Sequence, residues 1–311
     1  MTKIAFIYPG QGSQTVGMGE TFLSDERSRN FFDEADKALG MKLSTLMLEG
    51  PSEELTLTYN AQPALLTVSA MITERLAREG IVPSYTAGHS LGEYSALVAS
   101  GVMKFENAVE IVHKRGLFMN EAVPAGEGTM AAILGMDAKE LEEVTNQATD
   151  SVGVVQLANL NSPGQIVISG TKAGVEEACR LAKENGAKRA IPLDVSGPFH
   201  SELMRPASQD LSEVLSKAFL MNANVPVVAN VTGETETNAA QIQDLLVRQL
   251  YSPVLWEQSV RKMIELGVTV FVEIGPGKVL SGLVKKIDRS VTVLPVNDVE
   301  SCEKVIEELK K

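Results

Sequence analysis

A serine flanked by two glycines, in the stretch Gly88-His89-Ser90-Leu91-Gly92, is the feature that most constrains this chain. A short predicted strand precedes it, and a predicted helix over residues 93–100 follows it. A Cβ at either glycine would crowd the backbone of so sharp a turn. The turn lifts the serine hydroxyl clear of the sheet, beside a helix N-terminus whose free N–H groups favour a developing oxyanion. We therefore predict that Ser90 is a nucleophile in acyl chemistry.

Strands and helices alternate on both sides of this turn, which indicates an α/β protein with a mostly parallel sheet. Residues 4–8 are all apolar, as expected of a strand buried on both faces, and a polar glycine loop follows them. Thr15 stands where a dinucleotide-binding loop needs its third glycine, so we disfavour that function. Further predicted helices cover residues 29–39, 52–57, 63–79, 106–122, 202–218, 239–250, 254–266 and 299–311, and further strands cover 225–231, 268–274 and 291–296.

Residues 128–193 change character, because their predicted elements follow the order β-α-β-β-α-β. That order is typical of a ferredoxin-like unit. We predict a small ferredoxin-like subdomain over 128–193, inserted into a large α/β subdomain formed by 1–127 and 194–311.

The composition limits the partners and the location of the protein. A formal net charge of −12 disfavours binding to nucleic acid or to an anionic membrane surface. The first apolar run is too short for a signal sequence, and no run is long enough to span a bilayer. Cys179 and Cys302 lie far apart with no secretory context, so we expect free thiols and a cytoplasmic protein.

A serine nucleophile needs a base, and the chain has 3 histidines. His89 adjoins Ser90 on the turn, where neighbouring side chains diverge, and His113 is better explained as a surface or packing residue. His200 follows a tight turn between the two predicted subdomains, so by elimination it is the best base. The group that orients it stays open between Asp194 and a backbone carbonyl, since the imidazole N–H needs only an acceptor.

Arg115 lies on the apolar stripe of the predicted helix over 106–122, whereas Lys114 points elsewhere. The stripe also contains Ala108, Ile111, Val112, Phe118 and Ala122. A guanidinium in an apolar wall needs an anionic partner. The partner is either an acid of the protein, in a structural ion pair, or an anionic ligand.

Several stretches together resemble the malonyl-CoA:acyl carrier protein transacylase family. They run over most of the chain, and their joint occurrence is highly specific. They are Gly10-Gln11-Gly12-Ser13-Gln14, Gly88-His89-Ser90-Leu91-Gly92-Glu93, Arg115, Asn161-Ser162-Pro163-Gly164-Gln165, Phe199-His200, Gln249-Leu250-Tyr251-Ser252-Pro253-Val254 and Glu273-Ile274-Gly275-Pro276-Gly277.

The resemblance implies the catalytic roles. Ser90 is the acylated nucleophile, and His200 is its general base and acid. The backbone N–H groups of Gln11 and Leu91 form the oxyanion hole, and the backbone carbonyl of Gln249 orients His200. The implied fold is α/β, a hydrolase-like large subdomain with a mostly parallel sheet and an inserted ferredoxin-like (βαββαβ) small subdomain.

The resemblance also implies the substrates. A malonyl group passes from malonyl-CoA to the pantetheine thiol of acyl carrier protein, with no cofactor and no metal, and Arg115 holds the malonyl carboxylate. Gln62 resembles a further pocket residue, although a role at the entry of a helix explains it nearly as well. Phe199 could reject a methyl group on the α-carbon or be ordinary core.

Two other functions are considered. A serine esterase or thioesterase would use the same Ser90 and His200 with water as the acceptor, but a hydrolase of neutral esters has no use for the charge of Arg115. A silent scaffold that binds carrier protein would not need Ser90, His200 and Arg115 all intact.

Overall fold

Two separate sheets organise the computed structural model, which describes residues 2–311. The strands in chain order are β1 (Lys3–Tyr8), β2 (Tyr85–Gly88), β3 (Gly128–Leu134), β4 (Val155–Ser162), β5 (Gln165–Thr171), β6 (Arg189–Pro192), β7 (Val227–Val228), β8 (Thr235–Glu236), β9 (Val268–Ile274) and β10 (Thr292–Val296). The helices are α1 (Glu26–Leu39), α2 (Leu43–Glu49), α3 (Ser52–Thr56), α4 (Thr58–Arg78), α5 (Gly92–Ala99), α6 (Phe105–Glu121), α7 (Ala138–Ser151), α8 (Lys172–Glu184), α9 (Arg205–Ser216), α10 (Ala239–Gln249), α11 (Trp256–Glu265), α12 (Val279–Ile287) and α13 (Val299–Leu309). The predicted α/β class is confirmed.

The six-stranded sheet has the order β10-β9-β1-β2-β7-β8, and every pair in it is parallel except β7 with β8. The apolar run of β1 is buried on both faces, as its composition predicts. Phe6 and Tyr8 point into a core shared with α4, α5 and α6, while Ala5 and Ile7 point into a second core with α11 and α12. Tyr8 pairs with Gly88, so the loops that follow β1 and β2 meet at one edge of the sheet. Ligands of such sheets bind outside the carboxyl ends of the strands.

The four-stranded sheet has the order β4-β5-β3-β6, with antiparallel pairs throughout. Helices α7 and α8 pack on it and enclose a third core, which includes Ile133, Leu141 and Ile168. The β-α-β-β-α-β order predicted from sequence is present here. The limits 1–127, 128–193 and 194–311 enclose this sheet, and as domain boundaries they stay a prediction.

Helix α4 begins earlier than its sequence suggests. The sequence predicts a start at Pro63, but α4 begins at Thr58 and contains Pro63 in its interior. Proline has no N–H to offer the carbonyl four residues before it. His113 Nδ1 bonds that carbonyl, Tyr59 O, at 2.7 Å. His113 therefore packs against α4 and forms the hydrogen bond that Pro63 cannot form.

The predicted strand over 225–231 is wrong in length, since β7 contains only Val227 and Val228. Beyond β7, the backbone of Asn230 forms hydrogen bonds with groups outside the sheet. The Asn230 N–H donates to Glu93 Oε2, and the Asn230 carbonyl accepts from the Leu255 N–H. Strand β8 and helix α2 are further elements that periodicity missed, since both are short. Within residues 2–311 no helix has the length and apolarity to cross a membrane.

The glycines of the Ser90 turn are required for steric reasons. A Cβ on Gly88 would overlap the Gly92 carbonyl, and a Cβ on Gly92 would overlap the carbonyl oxygen of Tyr8. We expect Gly92→Ala to lower the free energy of unfolding by about 3 kcal/mol or more, because the end of β1 and the start of α5 must separate to admit the methyl group. Gly282→Ala is the control, since a Cβ there in α12 meets open space. That change is expected to stabilise the protein by about 0.5–1 kcal/mol.

Urea unfolding followed by circular dichroism measures both variants. A Gly92→Ala protein as stable as the unsubstituted protein would contradict the steric account of the turn.

Candidate active site

Ser90 sits on the turn between β2 and α5 in a strained backbone conformation. Its φ is 52°, and His200 has a φ of 58°; these are the non-glycine residues with positive φ in the described chain, 2–311. Such conformations cost on the order of 1–3 kcal/mol and persist only where neighbours enforce them. Here the Ser90 N–H donates to Asn230 Oδ1 at 2.7 Å, and Asn230 Nδ2 donates to the Gly88 carbonyl at 2.7 Å. Asn230 therefore holds the turn from both ends.

Ser90 and His200 form a hydrogen-bonded pair, with Ser90 Oγ 2.8 Å from His200 Nε2. The other ring nitrogen, Nδ1, lies 2.8 Å from the Gln249 carbonyl oxygen. Because a carbonyl can only accept, Nδ1 carries the proton and Nε2 is left as the acceptor for the serine hydroxyl. Of the two orienting groups considered, the structure thus has the backbone carbonyl, while Asp194 lies on the cleft wall.

Burial first, and the positive charge of Arg115 second, lower the pKa of His200 to about 3. The imidazole is consequently neutral at pH 7, the form that can take a proton from Ser90. His89 is not placed to do this, since its Nε2 lies 2.8 Å from Asn161 Oδ1. The elimination of His89 as the base agrees with this geometry.

Arg115 is completely buried on α6 and points at the nucleophile. It donates to Gln62 Oε1 at 2.8 Å, to Gln249 Oε1 at 2.9 Å and to Ser90 Oγ at 3.2 Å. Lys114, the next residue, is exposed as predicted. None of the ion pairs found in residues 2–311 includes Arg115, so the alternative of a structural ion pair is wrong. A cation with only neutral partners remains available to an anionic ligand.

The backbone N–H groups of Gln11 and Leu91 lie on the two loops that meet at this edge of the sheet. The two loops can approach closely because residue 10 is glycine, since a Cβ there would lie 2.5 Å from the His89 carbonyl oxygen. Among residues 2–311 neither the Gln11 nor the Leu91 N–H donates to a protein acceptor. Both are therefore free to bind an oxygen next to Ser90.

Comparison with known proteins gives one consistent result. Residues 5–311 match the acyl transferase domain family. The malonyl CoA-acyl carrier protein transacylase of Bacillus subtilis (strain 168) is 60% identical over 312 residues, covering 100% of this chain and 98% of that protein. The enzyme of the same name from Escherichia coli (strain K12) is 48% identical over 300 residues, covering 96% and 97%. The chain belongs to the malonyl CoA-acyl carrier protein transacylase family.

Solved structures agree with this membership. The transacylase structure from Coxiella burnetii has a TM-score of 0.97 at 42% identity and covers 100% of this chain and 98% of its own. A malonyl-transacylase solved in complex with a type II polyketide acyl-carrier protein has a TM-score of 0.96 at 43% identity, covering 99% and 100%. The resemblance found in the motifs and the two-subdomain fold class are thereby confirmed, and this transacylase-family chain is an acyltransferase.

The cleft of this transacylase has a volume of about 250 Å³ and lies between the two sheets. Ser90, His200, Arg115, Gln11 and Leu91 all line it, so the structure brings the predicted residues together. Met130 and Leu193 from the small-sheet region complete the wall.

The two remaining predicted pocket residues, Gln62 and Phe199, also line this cleft. Gln62 is buried in the interior of α4 and accepts from Arg115, so its alternative role at a helix entry is wrong. Phe199 is 7% exposed and forms part of the wall. Its position allows both a steric role and a packing role.

Two polar residues of the site, Glu93 and Asn230, were not predicted from the sequence. Glu93 is buried, and its Oε2 accepts from the Asn230 N–H at 3.1 Å and from Gln249 Nε2 at 2.8 Å. Burial raises the pKa of Glu93 to about 7. A single charged residue on the otherwise uncharged helix after the serine is the signal that could have identified Glu93. No local pattern points to Asn230.

Proposed function

We propose that this chain transfers a malonyl group from malonyl-CoA to the phosphopantetheine thiol of acyl carrier protein through a malonyl ester on Ser90, supplying fatty acid biosynthesis. The observation that carries the proposal is the buried guanidinium of Arg115 at 3.2 Å from Ser90 Oγ, with only neutral hydrogen-bond partners. A cation in that position suits an acyl group that carries its own carboxylate. Membership of the family supports the same reaction.

In the first half-reaction, Ser90 Oγ attacks the thioester carbonyl while His200 Nε2 takes the hydroxyl proton. The negative charge forms on the carbonyl oxygen, which accepts from the N–H groups of Gln11 and Leu91. Removal of one such donor typically costs roughly 10²–10³ in rate. The intermediate collapses by breaking the C–S bond, and the proton on His200 passes to the CoA sulfur.

In the second half-reaction, the pantetheine thiol gives its proton to His200 and its sulfur attacks the malonyl-serine ester. The C–O bond to Ser90 breaks, and the proton returns to Oγ. The enzyme thus alternates between a free and an acylated form, which is a ping-pong mechanism. No cofactor is needed, because Ser90 and His200 supply the nucleophile and the proton transfers.

Arg115 provides the selectivity. A guanidinium and a carboxylate form two parallel charge-assisted hydrogen bonds, which the carboxamides of Gln62 and Gln249 cannot match. An acetyl group would leave the buried cation without an anion, at a cost of about 1–3 kcal/mol or more. Phe199 beside His200 is proposed to crowd a methyl group on the α-carbon, which favours malonyl over methylmalonyl.

A cytoplasmic location is part of the proposal. Cys179 and Cys302 are both free thiols. Unpaired cysteines are typical of a reducing compartment.

The test is a transfer assay with purified protein, malonyl-CoA and pantetheinylated acyl carrier protein, with release of free malonate measured alongside. We expect malonyl-carrier to form much faster than malonate. In the absence of carrier, mass spectrometry of a digest should find one malonyl group on the peptide that contains Ser90, and carrier should remove it. An acyl group on another residue would sink the mechanism. Faster formation of malonate than of malonyl-carrier would instead establish the thioesterase alternative.

A further inference from the structure

The carboxamide of Gln249 lies between the guanidinium of Arg115 and the carboxyl group of Glu93. Its Oε1 accepts from Arg115 at 2.9 Å, and its Nε2 donates to Glu93 Oε2 at 2.8 Å. Gln249 and Glu93 are both buried, like Arg115. The sequence separates Arg115 from Gln249 by 134 residues, so this contact is created by the tertiary fold alone.

The orientation of this carboxamide determines what Arg115 meets. A guanidinium has only donors, so it can bond the oxygen of the amide but not its nitrogen. On the opposite side the amide nitrogen faces acceptors, namely Glu93 Oε2, the Ser90 carbonyl at 3.0 Å and Asn230 Oδ1 at 3.3 Å. Glu93 is the ionisable acceptor among them, and a hydrogen bond to its ionised form is about twice as strong as a neutral one.

We propose that Glu93 is a positioning residue, which holds the Gln249 carboxamide with its oxygen toward Arg115 and so keeps the guanidinium over Ser90 for recognition of an acyl carboxylate. The inference deepens the proposed function and rests on it. Without Glu93 the carboxamide loses the acceptor that favours this orientation most. A rotated amide would present N–H groups to the guanidinium and push it away from the malonyl position.

The Gln249 side chain also keeps the Glu93 carboxyl group out of direct contact with Arg115. Direct contact would place a protein carboxylate where the malonyl carboxylate must bind. With Gln249 between them, the guanidinium keeps its neutral partners until substrate arrives. Glu93 also accepts from the Asn230 N–H, which links it to the residue that holds the serine turn.

The test compares kcat/KM for malonyl-CoA with kcat/KM for acetyl-CoA in the full-length enzyme. Loss of folded protein lowers both values equally, so their ratio reports on Arg115 and is insensitive to a purely structural defect. We expect Glu93→Ala to lower the malonyl preference about tenfold or more, the effect of one hydrogen bond to a charged group. Glu93→Gln keeps an oxygen that can accept from Gln249 and Asn230, so its preference is expected within about threefold of the unsubstituted enzyme.

Ser95→Ala is the matched control, because Ser95 is a buried polar residue of the same helix whose hydroxyl has no partner within residues 2–311. Its acyl preference is expected to be unchanged. In the Gln249→Ala background, which retains the backbone carbonyl for His200, addition of Glu93→Ala is expected to change the preference less than about twofold.

An unchanged acyl preference in folded Glu93→Ala would overturn the proposal, and so would a loss in Glu93→Gln as large as in Glu93→Ala. If Glu93→Ala does not fold, Glu93→Asp is read instead, because it withdraws the carboxylate by one methylene and is expected to lower the preference about threefold. An unchanged preference in Glu93→Asp then overturns the proposal. Failure of the unsubstituted enzyme to transfer malonyl at all would count against the proposed function, which separates the two.

Discussion

Arg115→Ala is expected to lower kcat/KM for malonyl-CoA by about 10²–10³-fold and to raise the relative rate with acetyl-CoA. Loss of one partner from a buried, hydrogen-bonded charge pair costs about 2–5 kcal/mol. Arg115 is the one arginine or lysine among the described residues that line the cleft, so its loss leaves the malonyl carboxylate without a cation to bind.

The gain with acetyl has a separate cause. Arg115 lowers the pKa of His200 in addition to the effect of burial, and so opposes the imidazolium that forms when Ser90 loses its proton. A malonyl carboxylate cancels that charge when it binds, whereas an acetyl group does not. Alanine at this position removes the repulsion between Arg115 and the His200 imidazolium, which helps acetyl transfer. It also removes the cation that binds the malonyl carboxylate, which slows malonyl transfer.

The measurement is the ratio of the two kcat/KM values, with Lys114→Ala as control. Lys114 is the preceding residue of α6 and is exposed, so its loss removes the same charge from the same helix without touching the cleft. We expect that control to keep the malonyl preference of the unsubstituted enzyme. An unchanged preference in Arg115→Ala would remove the argument that this residue selects the acyl group.

His200→Ala is expected to slow acylation of Ser90 by about 10³–10⁴-fold, because general-base assistance typically supplies rate factors of this order. His200 Nε2 is the basic atom in hydrogen-bond contact with the Ser90 hydroxyl, at 2.8 Å. Without it the serine must lose its proton to water. The residual rate is expected to come from the oxyanion donors and from binding.

Rapid quenching after addition of malonyl-CoA, followed by mass measurement of the intact protein, gives the acylation rate directly. His113→Ala is the control, because His113 bonds the Tyr59 carbonyl and lies outside the cleft lining. Its acylation rate is expected within about threefold of the unsubstituted enzyme. A fall of less than tenfold in His200→Ala would show that another group takes the proton.

Local sequence patterns predict the large elements because the forces that form them act over a few residues. The apolar run of β1, the stripe of α6 and the glycines beside Ser90 are each readable without a partner. The failures occur where a distant group overrides the local pattern. Pro63 stands inside α4 because His113 takes the carbonyl that proline leaves unbonded, and β7 is short because the backbone of Asn230 bonds Glu93 and Leu255.

The functional site likewise combines residues that local patterns identify with contacts that only the fold creates. The residue types and spacing identify Ser90 and His200, and the phase of one helix identifies Arg115 as a cation on an apolar wall. Gln249 shows the limit of such reasoning. The predicted role of its carbonyl came from resemblance, and nothing in the sequence indicates that its side chain bridges Arg115 and Glu93.

The sequence by itself determined that this chain has a strained serine turn in an α/β fold, because sterics at Gly88 and Gly92 and the alternation of strands and helices are local properties. Only the tertiary structure decided what each polar group faces. His200 meets the carbonyl of Gln249 rather than Asp194, and Arg115 meets neutral oxygens rather than an acid. What a buried charge can bind depends on the groups in contact with it. Around the Ser90 turn those groups come from α4, α6 and α10, which are distant from one another in sequence.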